Sequence, residues 1–123
     1  MPEMNKHEYL EKFVFKDLTN LNDGFDAEGI KYFSEEDFKI ILSRIEKLEI
    51  GVGGIEPWLG GDFYGVKCFE DYGAGFAPDS PEWFWHAFEE FKKENRNLMY
   101  AATYYIPEAK LRSAVVTPPP QIP

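Results

Sequence analysis

The chain is short of cysteine, histidine and cations. A single cysteine, Cys68, stands among 123 residues, so no internal disulfide and no cysteine cage for zinc can form. The two histidines, His7 and His86, leave little for an imidazole-rich metal centre. Lys and Arg number 13 against 22 Asp and Glu, a formal net charge of −9. A chain this acidic does not grip a phosphate backbone, which demands clustered cations, and it favours basic partners instead. No run approaches the roughly 18 apolar residues of a membrane span. The opening "MPEMNKHEYLEKF" lacks the basic segment and apolar stretch of a signal peptide. These absences predict a cytoplasmic protein that works without a cofactor, a metal, direct nucleic-acid contact or a membrane.

Aromatic side chains are plentiful. Eleven Phe, seven Tyr and three Trp make up 17% of the chain, enough apolar area to offset chain entropy and exclude a disordered protein. The length suits one domain with one core. We place that domain at 1–117, leave 118–123 as a Pro-rich, polyproline-like tail, and expect a monomer.

Residues 5–21 set Tyr9, Phe13 and Leu10, Val14, Leu18, Leu21 at helical spacings, which predicts a first helix, although "FVF" also suits a strand. "NDGFDAEG" reads as a loop. Ser34 then opens a second helix as its cap, with Asp37 as the capping-box acid. Phe38, Ile41, Leu42, Ile45 and Leu48 form its core stripe, with Arg44 and Glu46 pointing elsewhere. After it, glycines alternate with β-formers and predict strands over 48–56 and 62–70, turning at Gly60-Gly61 or at a turn extended by Asp62. Pro57 belongs at a strand end or edge. Ser80-Pro81-Glu82 opens a third helix, the serine as its cap, and it runs to about Asn95. "LMYAATYYI" reads as a strand over 98–106, and 111–117 is a possible fourth. The expected fold is α+β: three helices covering one face of a small, mainly antiparallel sheet.

Several residue sets suggest chemistry. Cys68 with His86 suggests a thiol nucleophile and its base, but its neighbourhood is negative where a thiolate wants positive charge, and Cys68 also suits a core strand. Glu82, His86, Glu89 and Glu90 share one side of the third helix, the geometry of a metal face or of a solvated acidic face. The glycines of "GVGG" and "LGGD" lack the lysine of a phosphate loop and read as turns. Glu70 and Asp71, adjacent in a strand, would face opposite sides and could not share acid–base work.

The stretch "CFEDYGAGFAPDSPEWFWHAFEEF", Cys68 to Phe91, contains no Lys or Arg. Phe84, Phe88 and Phe91 form a core stripe. Trp85 lies on its flank, either core itself or half-exposed and rimmed by Asp71, Asp79, Glu82 and Glu89. An exposed aromatic ringed by carboxylates suits an interface with a basic protein. We therefore nominate Asp62, Glu70, Asp71, Tyr72, Asp79, Glu82, Trp85 and Glu89 as partner-binding residues. A small enzyme using Cys68 and His86 and an adaptor whose acids only keep it soluble are the alternatives.

The order of elements, a capped amphipathic helix, then Gly60-Gly61-Asp62-Phe63-Tyr64, then a loop into an acidic aromatic helix, resembles the small acidic immunity proteins of bacterial polymorphic-toxin and contact-dependent inhibition systems. The resemblance covers the middle half of the chain. It implies a non-catalytic protein that binds and blocks a cognate toxin domain, often a nuclease with a basic cleft.

Overall fold

The computed structural model describes residues 4–114. The first helix, α1, begins at Lys6 behind a reciprocal cap: Asn5 Oδ1 accepts from the Glu8 N–H at 2.8 Å, and Glu8 Oε1 accepts from the Asn5 N–H at 2.9 Å. It is α-helical over Lys6–Tyr9 and widens into a π-turn over Leu10–Val14, closed by the Phe15 N–H donating to the Leu10 carbonyl at 2.8 Å. The wider turn lets Tyr9, Leu10, Val14 and Phe15 all reach the core. The predicted helix over 5–21 thus ends early, because Asp17 takes a positive φ of 66°. Arg44 is not idle at the surface: its Nη1 donates to the Val14 and Lys16 carbonyls, each at 2.8 Å, and satisfies the end of α1.

Helix α2 spans Glu35–Leu48. Ser34 Oγ accepts from the Asp37 N–H at 3.1 Å as expected, but Asp37 does not complete the box; its carboxylate accepts from the Thr19 N–H at 3.3 Å. Helix α3 spans Pro81–Glu94. Ser80 does not cap it with its side chain, since Oγ is taken by the Ala77 N–H at 3.0 Å; Pro81 starts the helix. From α2, Phe38, Ile41, Leu42 and Ile45 are buried; from α3, Trp83, Phe84, Ala87, Phe88 and Phe91. Phe38 stacks on Tyr100 at 5.0 Å and Phe88 meets the same ring edge-on at 5.2 Å, so both helices pack on one face of the sheet.

The central strand is β1, Gly51–Leu59, later than the predicted 48–56 because α2 runs on to Leu48 and Glu49 ends it in a left-handed cap at φ 59°. Along one edge it pairs antiparallel with β4, Met99–Tyr105, from Gly51↔Tyr105 to Trp58↔Met99. Along its other edge lie two short strands, β2 (Asp62–Phe63) and β3 (Lys67–Cys68). Gly60 and Gly61 make the β1–β2 turn at φ 59° and 91°, values that exclude most side chains.

The predicted strand over 62–70 is broken for a reason that begins in β1. Pro57 sits in the middle of the central strand, not at an end or edge, and has no N–H to donate. Opposite it the chain bulges: the Tyr64 and Gly65 N–H groups both donate to the Pro57 carbonyl, at 3.0 and 3.4 Å, and the register advances by one residue before β3. Phe69–Tyr72 is then a 3₁₀ turn rather than strand. The possible fourth strand is not seen either: Leu111–Ser113 belongs to a short helix, α4, Glu108–Ser113, while 115–117 and the Pro-rich tail lie outside the described residues.

Alternation sends Val52, Ile55, Tyr100 and Tyr104 into the core and leaves Gly54, Glu56, Trp58, Ala101 and Thr103 on the other face. The loop before Phe33 covers part of that second face. Asn22 shapes the loop, accepting the Gly24 N–H at 3.0 Å and donating to the Ala27 and Ile30 carbonyls at 2.9 and 2.8 Å. Phe25 and Tyr32 thereby lie 5.6 and 5.5 Å from the Trp58 ring. No helix of the described residues packs on the rest of that face.

Candidate protein-binding surface

The eight nominated residues do not form one patch. Asp62 is exposed beside the Gly60-Gly61 turn. The chain after it runs along α3 in the opposite direction: Tyr64 donates to Glu94 at 2.8 Å, Lys67 approaches Glu90 at 3.5 Å, and Tyr72 meets Trp83 and His86 at ring distances of 5.9 and 5.5 Å. Asp62 therefore lies near the C-terminal end of α3, whereas Asp79 and Glu82 lie at its start, about 20 Å away for a 14-residue helix at 1.5 Å per residue.

Glu70, Asp71 and Tyr72 occupy the 3₁₀ turn. Asp71 Oδ2 accepts the Cys68 N–H at 2.8 Å and Glu70 is exposed. Tyr72 is turned inward, its hydroxyl donating to Glu90 Oε1 at 2.5 Å. Burial, followed by that carboxylate, pushes the Tyr72 pKa well up. In return the Tyr72 hydroxyl, then Lys67 and His86, hold Glu90 below the usual carboxylate range.

Trp85 is half-buried in the seam between α2 and α3. Its ring lies 6.2 Å from both Phe84 and Phe88, and its indole N–H donates to Glu46 Oε1 at 2.8 Å. That bond makes Trp85 a clasp between helices and gives Glu46 a task that helical spacing could not reveal. Glu89 beside it pairs with Lys92 at 2.9 Å.

The thiol and imidazole stand apart. Lys67 reaches the Phe91 ring and Glu90 on the helical side, so the next residue, Cys68, faces the other way, its Sγ close over Gly54. His86 is on α3, 3.6 Å from Glu90. Burial, then Asp71 and Glu70, raise the Cys68 pKa, which favours the inert thiol over the thiolate. Among the described residues no three His, Cys, Asp or Glu side chains are grouped so as to hold a metal ion. None of their helices is long and apolar enough to cross a membrane.

No family model, curated protein or solved structure matches the chain. The segment Gly60 to Tyr64, which prompted the resemblance above, is accounted for locally by a hairpin turn, a two-residue strand and the start of the bulge.

Of the eight nominated residues, Glu70, Asp71, Asp79 and Glu82 are all exposed along one border of the sheet, and among the described residues no cation pairs with any of them. One feature escaped the sequence reading: the bare sheet face, where Ile30, Phe63, Val66 and Tyr105 expose 40, 56, 52 and 52% of their surface. Alternation along the strands hinted at it, but only the pairing shows that no helix of the described residues covers it.

Proposed function

We propose that the chain is a stoichiometric binding protein that holds and neutralises a basic protein, in its fullest form an immunity protein acting against a cognate toxin domain. The observation that carries this reading is the uncompensated border of Glu70, Asp71, Asp79 and Glu82. Most carboxylates of the described residues have no ion pair, Glu11, Glu35, Glu89, Glu90 and Glu108 being the ones that do, so what sets these four apart is that they are all exposed and gathered along one border. Exposed carboxylates without counter-charges attract and orient a basic surface and exclude acidic ones. Cys68 beside Gly54 on the open face and His86 on α3 favour this reading over a thiol enzyme that pairs the two.

Co-expression with the product of the adjacent gene tests the proposal. The expected outcome is relief of toxicity and a one-to-one complex that weakens as salt rises. Reversing Asp71, Asp79 and Glu82 together to Lys is expected to lower affinity by about tenfold or more and to flatten the salt dependence, as for charges that steer encounter. An unchanged affinity and salt slope would discard the acidic border as the contact.

A further inference from the structure

The bare face of the sheet is concave. Gly54, Ala101 and Thr103 floor a groove of about 430 Å³, Ile30 and Val66 wall it, and Glu56 closes one end. The groove exists because glycine and alanine on neighbouring strands leave the pleat without side chains where an ordinary sheet would carry β-branched ones. Its walls are exposed and apolar, a combination that marks an interaction surface.

Glu56 supplies a charge requirement. Its Oε2 accepts the Trp58 indole N–H at 2.8 Å, and it also faces the Tyr32 phenol, which donates to Asp26 Oδ2 at 2.5 Å. Burial, then Asp26 and Glu56, push the Tyr32 pKa far up. Two half-buried carboxylates thus share one neutral phenol, and among the described residues no cation pairs with either. Lys31, one residue beyond the groove wall, is committed to Glu11 at 3.0 Å.

We infer that this groove is where the basic partner docks: an extended apolar segment of that protein lies between Ile30 and Val66 and sets one Arg or Lys against Glu56. The inference rests on the reading of the partner as a basic protein. It makes the open face the apolar centre of the interface and the acidic border its rim. A guanidinium suits the end of the groove because it can meet carboxylates bidentately while its stem stays on apolar surface.

The test titrates the isotope-labelled full chain with acetyl-Thr-Val-Arg-Val-Thr-amide and with the same peptide carrying citrulline, which keeps the shape and removes the charge. Amide shifts are expected at Gly54, Val66, Ala101 and Thr103 and at the Trp58 indole, with the arginine peptide bound about fivefold or more tighter. Glu56→Gln should remove most of that preference, and Val66→Asp, at an exposed position, should weaken both peptides. Equal binding of the two peptides, shifts confined to Glu70, Asp79 and Glu82, or no shifts at millimolar peptide would each overturn the inference. So would concentration-dependent shifts of the same amides without peptide, which would identify a second copy as the occupant. In the purified complex, a loss caused by the acidic-border reversals but not by Val66→Asp would leave the basic-partner reading standing and discard the groove. Failure to form any complex would discard that reading while the peptide titration still decides the groove.

Discussion

Tyr100 and Tyr104 each bury a hydroxyl that finds no hydrogen-bond partner among the described residues. Their rings earn their place, Tyr100 stacking on Phe38 and Tyr104 meeting Phe15 edge-on at 5.4 Å. The hydroxyls do not, since desolvating one without a partner costs on the order of 1–3 kcal/mol. Tyr104→Phe is therefore expected to stabilise the fold by about 1 kcal/mol, seen as a higher urea midpoint at unchanged slope. A lower midpoint would mean that the hydroxyl is satisfied. Trp85 teaches the reverse: its position on the flank of α3 was readable from 100° steps, but its N–H belongs to Glu46, 39 residues away, and no periodicity reports such a bond.

At the level of elements, helices α2 and α3 were legible because their signals are local. A capping serine or an N1 proline and an apolar stripe at 3.6-residue period lie within one contiguous segment. The Gly60-Gly61 turn was legible for the same reason. Its φ of 91° at Gly61 meets no crowding, the nearest atom to an added Cβ being Phe25 Cβ at 3.6 Å. Gly61→Ala should thus cost backbone strain alone, about 1–2 kcal/mol, read as a lowered melting temperature with the hairpin amide pattern retained. The break between β2 and β3 was not legible. It depends on which residue of the returning strand faces Pro57, and register is a property of two strands together. The early end of α1 has a similar origin, since Arg44 of α2 supplies its terminal hydrogen bonds.

For the whole molecule, charge sets the response to pH. Arg96 holds Glu35 below the ordinary carboxylate range, and the Tyr72 hydroxyl, ahead of Lys67 and His86, does so for Glu90. A depressed carboxylate contributes stability that is present above its unfolded pKa of about 4.3 and lost as pH falls below it. Tyr32, Tyr72, Tyr100 and Tyr104 are all raised, burial first among the causes. A raised phenol contributes stability that is present below about pH 10 and lost as pH climbs further. Melting temperature followed by circular dichroism should therefore plateau from about pH 5 to 9 and fall on both sides. A rise above the plateau at alkaline pH would contradict the burial of these four hydroxyls.

Composition and local pattern by themselves determined an acidic α+β domain, the two principal helices, the glycine hairpin and the aromatic core of Phe84, Phe88 and Phe91. Each of these follows from propensities and periodicities acting within a few turns of chain. Only the tertiary structure decided that Cys68 and His86 part company across the sheet, that Trp85 clasps Glu46, and that no helix of the described residues covers the face carrying Gly54 and Ala101. These depend on which way each pleat points and on what covers it, quantities set by the pairing of β1 with β4 and by the packing of α2 and α3 on one side alone.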